Sequence, residues 1–249
     1  MISSFFEESI IKKAQEKELV KIEIIDLRKF AYDKRGSVDD RVYGGGKGMV
    51  IRVDVIYKTL EKLKIKSQKL KIAVKNSKLK NKILLTSPKG EVFNQKKAQQ
   101  LAKLDELVII SGHYEGIDER IKNFVDEEVS LGDFVMTGGE ITVAALVDAV
   151  VRLIPGVLEK QAIDEESFSE YEVNDLIKIL GENEILKKLK KKNIKKIKLL
   201  EYPQYTRPEE FLGLKVPKIL LSGNHKEIEK WRLKKAWEET LRLRKDLLS

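Results

Sequence analysis

The chain contains no cysteine and only two histidines, His113 and His225. Thiol nucleophiles, disulfides, thiolate metal sites and multi-histidine metal centres are therefore excluded. Chemistry must come from carboxylates, hydroxyls, basic groups, main chain or a bound cosubstrate. Glycine is the most informative residue type: ten of the 15 glycines fall in the segments 36–48, 112–116 and 132–139. Glycine permits positive φ and close backbone approach. Three such segments, two of them following strand-like runs, point to a ligand gripped by main chain. Gly44-Gly45-Gly46-Lys47-Gly48 lacks the spacing of a phosphate loop, and Met49 stands where a metal-binding hydroxyl is needed. No G-x-G-x-x-G follows a strand, so the dinucleotide fingerprint fails, and no G-x-S-x-G elbow surrounds a serine. His113, between Gly112 and Tyr114, reads as a loop histidine rather than a catalytic base. Asp164, Glu165 and Glu166 form an acidic cluster. The residue types define a main-chain-lined pocket without naming its ligand.

The elements that must position these segments alternate in type. Helical spacing covers 10–19, 53–63 and 95–103, the last with Asn94 as its N-cap. Alternating exposure predicts a strand over 22–27, and apolar runs predict strands at 83–85, 92–93 and 107–110. Strands alternating with helices imply an α/β domain with a mainly parallel sheet. The Ala- and Val-rich helix expected over 141–153, stopped by Pro155-Gly156, calls for burial on two sides, within its own domain or against a second subunit. After residue 158 the character changes. The segment 186–198 holds eight lysines in 13 residues, and 159–199 reads as a charged, part-helical connector. Asn224 with Glu227 three residues on predicts the start of a final helix, with Ile228, Trp231, Trp237 and Leu241 on one face.

Charge is uneven. Of the formal net charge of +9, +7 lies in residues 170–249. Neutralising phosphates is a natural use of such a region, and a solvated lysine-rich surface is the plain alternative. The middle of 58–82, a stretch with ten lysines and one acid, reads as an irregular basic surface. No run approaches 18 apolar residues, so no transmembrane helix is expected. The start of the chain lacks the features of a secretory signal, so a cytoplasmic protein is expected.

Several motifs occur in a definite order: Val38-Asp39-Asp40-Arg41-Val42-Tyr43-Gly44-Gly45-Gly46-Lys47-Gly48-Met49, Ser87-Pro88-Lys89-Gly90, Ser111-Gly112-His113-Tyr114-Glu115-Gly116, Leu131-Gly132-Asp133-Phe134-Val135-Met136-Thr137-Gly138-Gly139-Glu140, Ile154-Pro155-Gly156, Tyr202-Pro203-Gln204-Tyr205-Thr206-Arg207-Pro208 and Leu221-Ser222-Gly223-Asn224-His225. In this order they resemble the bacterial tRNA (guanine-N1)-methyltransferases of the SPOUT class, over nearly the whole chain except the connector. The resemblance implies a SPOUT-type domain over 1–158 with a deep trefoil knot. It also implies a connector over 159–199 and a small, mainly helical tRNA-binding domain over 200–249. It implies an obligate homodimer that methylates N1 of the guanosine at tRNA position 37, with S-adenosyl-L-methionine as cosubstrate and no structural metal.

By motif position, the cosubstrate contacts implied are Ser87 and Pro88; Gly112, Tyr114, Glu115 and Gly116; and Leu131, Gly132, Asp133, Phe134, Val135, Met136, Gly138 and Gly139. Arg152 stands at the family's catalytic arginine. Glu166, before Ser167-Phe168, stands where the family has its catalytic aspartate. Arg207 and His225 are the expected local tRNA contacts. Three departures are visible: Met1 leads almost directly into Ser4-Phe5-Phe6 without a first strand and its Leu-Phe-Pro-Glu-like turn, the connector is longer than usual, and glutamate replaces aspartate with the approach from Arg152 one residue shorter. Two other readings remain open at this stage: a knotted methyltransferase acting on ribosomal RNA, and a non-catalytic RNA-binding protein of the same fold.

Overall fold

The computed structural model describes residues 2–46, 48–65, 80–113 and 115–248. The middle of the basic stretch 58–82 and Tyr114 lie outside the described residues. The chain divides into two compact units, Met1–Leu158 and Glu159–Ser249.

Unit 1 opens with α1 (Ser3–Phe6) and α2 (Ser9–Glu16), followed by β1 (Asp39–Arg41) and β2 (Met49–Ile51), which pair antiparallel. Then come α3 (Val53–Lys62), β3 (Asn81–Val92), α4 (Gln95–Leu101), β4 (Glu106–Ile110), β5 (Glu127–Ser130) and α5 (Glu140–Val151). The sheet that organises the unit has the order β4-β3-β5, all parallel. Its middle strand is buried on both faces, which is why Ile83-Leu84-Leu85 is continuously apolar rather than alternating. Ile83 and Leu85 face Ile56 and Leu60 of α3, whereas Leu84 faces Ala98 and Leu101 of α4 and Leu146 and Val150 of α5. The Asn94 side chain caps α4 by accepting from the Lys97 amide at 3.1 Å. Two sides of the apolar α5 are covered inside unit 1, while Ile141 at its start stays exposed. Leu146 and Val150 pack on the sheet side, and Val151 packs with Phe6, Ile11 and Ala14 of the first two helices.

Three differences from the sequence expectations have physical causes. The strand expected over 22–27 is an irregular extended segment ending in a 3₁₀ turn, Leu27–Phe30, with Ile24 and Ile25 exposed. Alternation describes an extended chain, but a strand also needs a paired neighbour. Strand β5 was hidden because it begins Glu127-Glu128. Those acids are matched by Lys82 and Lys97 on one side and Lys122 on the other. The run expected as a separate strand at 92–93 belongs to β3. The pairing with β5 breaks after Thr86↔Val129 and resumes at Glu91↔Val129, so 87–90 loops out of a single strand. Gly90 permits this return, because a Cβ there would sit 2.4 Å from the Val129 amide nitrogen.

Unit 2 contains α6 (Lys160–Asp164), β6 (Ser169–Glu172), α7 (Val173–Leu180), α8 (Glu184–Lys191), β7 (Lys196–Leu199), the two-residue β8 (Glu210–Phe211) and β9 (Leu214–Lys215), and α9 (His225–Leu243). Much of 159–199, expected to be a connector, is built into the core here. Val173, Leu176, Leu186, Leu189, Ile197 and Leu199 bury against Ala236 and Trp237 of α9 and Leu248. Its lysines masked an amphipathic pattern in which apolar residues recur every three or four positions. The final helix starts where the Asn224 cap was expected, with Asn224 Oδ1 accepting from the Glu227 amide at 3.4 Å.

An ion-pair network ties the sheet of unit 1 to α4. Lys97, with its side chain only 10% exposed, reaches Glu127 at 2.5 Å and Glu91 at 2.8 Å, and Glu127 also accepts from Lys82. Burial pushes the Glu127 carboxyl upward, but the two ammonium groups win and hold it below the usual carboxylate range. Such a group stabilises the fold above its unfolded pKa, about 4.3, and that contribution is lost as pH falls through its lower folded value. Replacing Glu127 with Gln leaves Lys97 mostly buried with a single partner. Urea unfolding at pH 7 should show a loss of about 2 kcal/mol, below the range for a fully buried pair because Glu127 is partly exposed. The difference from the unchanged protein should shrink at pH 3.

Candidate functional site

All three strands of the central sheet run in the same direction, so their carboxyl ends share one edge, where ligands of open α/β sheets bind. The segments that leave that edge converge. Thr86, Ser87 and Pro88 come from the loop within β3, 112–116 follows β4, and 130–139 follows β5. Together with Thr142 of α5 they wall a single cavity. Of the expected cosubstrate contacts, Ser87, Pro88, Gly112, Glu115, Gly116, Leu131, Gly132, Phe134, Val135, Met136, Gly138 and Gly139 all line it. Asp133 is exposed and is not among the lining residues.

Main-chain hydrogen bonds fix the walls. The Gly139 amide donates to the Gly112 carbonyl at 2.7 Å, and the Gly112 amide donates to Thr86 Oγ1 at 3.1 Å. The loop after β4 is also tied to β2, with the Glu115 amide donating to the Met49 carbonyl at 3.2 Å and the Ile51 amide to the Gly116 carbonyl at 3.0 Å. The Gly132 amide donates to Ser130 Oγ at 3.1 Å, which shapes the turn after β5. A Cβ on Gly139 would lie 2.3 Å from Thr86 Oγ1 and 3.0 Å from the Gly112 nitrogen. No other residue type fits there without moving two of the walls. His113 Nδ1 lies 3.3 Å from Glu140 Oε1, across the mouth of the loop pair. Beyond the contacts expected from the sequence, His113, Thr137, Thr86, Val129, Ser130 and Thr142 also line the cavity, His113 and Thr137 within the expected loops. Thr86 and Thr137 were legible as neighbours of the glycine motifs. Val129, Ser130 and Thr142 become neighbours of the cavity only through sheet register and helix packing.

The remaining expected site residues fall at element ends. Arg152 is the C-cap of α5, half-buried, and belongs to unit 1. Glu166 is half-buried and belongs to unit 2, and its carbonyl accepts from the Ser169 amide at 3.2 Å. The acidic run is not uniform. Glu165 is engaged by Gln161 Nε2 at 3.1 Å, by the Tyr202 hydroxyl at 3.5 Å and by Arg232 at 3.8 Å, whereas Asp164 is exposed at the end of α6. Arg207 and His225 are both exposed in unit 2, His225 as the first residue of α9.

A cavity lined by glycines and loop residues at the carboxyl edge of a parallel sheet lies where α/β proteins bind small ligands. Comparison with known proteins narrows this class. A family model described as tRNA (Guanine-1)-methyltransferase TrmD matches residues 1–249. A tRNA (guanine-N(1)-)-methyltransferase of Dictyoglomus turgidum is 44% identical over 249 residues, covering 100% of this chain and 85% of the relative. Its counterpart in Mycoplasmopsis agalactiae is 43% identical over 246 residues, covering 99% and 91%. That of Geobacter metallireducens is 44% identical over 243 residues, covering 97% and 84%. The chain belongs to the tRNA (guanine-N1)-methyltransferase family.

Because Gly139 is wedged between two walls, Gly139→Val should abolish binding of any ligand that occupies this cavity. Isothermal calorimetry with S-adenosylmethionine is expected to show no heat of binding, while circular dichroism shows a folded protein. Unchanged affinity would place the ligand elsewhere.

Proposed function

We propose that this enzyme transfers the methyl group of S-adenosyl-L-methionine to N1 of the guanosine at tRNA position 37. The observation that carries the reading is the convergence of the loop within β3 and the loops after β4 and β5 on one cavity, in a chain that matches the family from end to end. The cavity suits an adenosine-bearing ligand: its walls offer backbone amides and carbonyls to grip polar edges, and its glycines leave room for close approach. When bound, S-adenosylmethionine supplies an activated methyl group on a sulfonium. The loops after β4 and β5 hold it and orient it, and positioning is the main service an already reactive donor needs.

Guanine N1 carries a proton at neutral pH, so the protein must supply a base, and a carboxylate can serve. We assign that role to Glu166 and the stabilisation of charge developing on guanine O6 to Arg152. Glutamate is one methylene longer than the family's aspartate, and the approach from Arg152 is one residue shorter, so the two changes offset. Arg207 and His225 are assigned to tRNA, within the C-terminal region 170–249 that carries a net charge of +7. The knot of the SPOUT fold is part of this reading, because it accounts for loops distant in sequence closing on one ligand. With tRNA as substrate, the enzyme works in the cytoplasm. A ribosomal RNA substrate is disfavoured by the three relatives described above, each of which carries the tRNA name.

The protein is assigned as a homodimer. Phe134, Val135 and Ile141, in and beside the loop that lines the cavity, are 54%, 92% and 64% exposed, an apolar surface suited to a second copy. Light scattering at micromolar concentration should give a mass near twice 28.6 kDa; the monomer mass would overturn the assignment. Single-turnover methylation of a tRNA transcript should slow about 100-fold or more in Glu166→Gln, with S-adenosylmethionine affinity unchanged. If Asp164→Asn shows that loss instead, the base has been misassigned. A transcript with adenosine at position 37 should not be methylated.

A further inference from the structure

The segment from β6 to β7 leaves and rejoins the rest of unit 2 at one place. Its two ends pair antiparallel, Ser169↔Leu199 through Glu172↔Lys196, and the Phe168 amide donates to the Leu199 carbonyl at 2.7 Å. The chain therefore leaves and returns at adjacent points, and everything between is one β-α-α-β module. Its charges are sorted along the sequence. All five acids lie between Glu170 and Glu184, while eight lysines and no acid lie between Lys187 and Lys198.

The apolar side of this lysine segment is fully used. Leu186 and Leu189 of α8 and Ile197 and Leu199 of β7 are buried. Lys187, Lys188, Lys190, Lys191, Lys192, Lys195 and Lys196 are exposed. Lys187 and Lys196 have carboxylates within 4 Å, and among the described residues Lys188, Lys190, Lys191, Lys192 and Lys195 have none. Helix geometry brings Lys187 beside Lys191 and Lys188 beside Lys192, pairs of like charge that repel when nothing lies between them. The α8 dipole offsets this for the lysines of its last turn. It does nothing for Lys195, which lies beyond the helix. A surface that concentrates unpaired cations in this way is matched by a polyanion carrying regularly spaced phosphates.

We infer that the lysine face of the β6–β7 module is a docking surface for the phosphate backbone of tRNA, additional to Arg207 and His225. The inference rests on tRNA being the substrate. A solvated face of no function is the competing outcome. The test compares two four-charge variants of the full chain. One carries Lys188→Gln, Lys191→Gln, Lys192→Gln and Lys195→Gln. The control carries Lys12→Gln, Lys13→Gln, Lys17→Gln and Lys21→Gln, exposed positions of unit 1.

Equilibrium binding of unmodified tRNA is read by fluorescence anisotropy across a range of salt concentrations. The module variant should bind about tenfold or more weakly near 0.1 M salt, and the slope of log affinity against log salt should fall by about 2 or more. The control should change far less. In methylation assays the module variant should show a raised KM for tRNA with kcat retained. Equal losses in the two variants, or none in the module variant, would overturn the inference. Because binding is read directly, its failure is separable from failure of the proposed activity, which would appear as absent methylation by the unchanged enzyme.

Discussion

The close approach of Gly139 to Thr86 and Gly112 is the constraint on which the rest of the site depends. The hydrogen bonds from the Gly139 amide to the Gly112 carbonyl and from the Gly112 amide to Thr86 Oγ1 join the ends of three separate walls. Each wall is held at its other end by the parallel sheet, whose middle strand is buried on both faces. The apolar stack of Ile83, Leu84 and Leu85 thus fixes where Thr86 lies. Thr86 fixes Gly112, and Gly112 fixes the start of α5 through Gly139. A side chain at position 139 would break this sequence at its narrowest point.

Polar groups in unit 1 act in the same direction. The Lys82–Glu127–Lys97–Glu91 network spans β3, β5 and the start of α4, across the point where 87–90 leaves the strand. Ion pairs at this position do not need to be strongly stabilising to matter. They favour one pairing register for a strand that begins with two acids and would otherwise be drawn to solvent. In unit 2 the acidic run is divided by the same logic. Glu165, itself partly exposed, is engaged by Arg232 and Tyr202, and the half-buried Glu166 sits next to it.

The sequence was most legible where local chemistry and tertiary structure agree. The caps at Asn94 and Asn224, the apolar runs of β3 and β4, and the two-sided α5 could all be read from residue type and spacing. Two of the three glycine segments, 112–116 and 132–139, supply cavity walls, whereas no described residue of 36–48 lines it, and the ordered motifs identified the family. Failures occurred where partners are distant in sequence. Residues 22–27 alternate like a strand but have no paired neighbour among the described residues. Residues 127–130 look unlike a strand because the lysines that match their acids lie elsewhere in the chain. The lysine-rich part of 159–199 looked like a connector because its leucines and isoleucines, spaced for amphipathic elements, were outnumbered by charge. Val129, Ser130 and Thr142 had no signal of their own, since sheet register and helix packing alone bring them to the cavity.

The cavity is bounded by residues from 86 to 142, so it exists only after widely separated stretches of chain have come together. Long-range closures of this kind are slow to form and early to open. Any ligand that fills the cavity binds only the completed native state. At a concentration one hundred times its Kd it adds about 2.7 kcal/mol to global stability. A shortage of such a ligand would therefore lower the resistance of the folded protein to unfolding and proteolysis, and with it the amount of surviving enzyme as well as its rate.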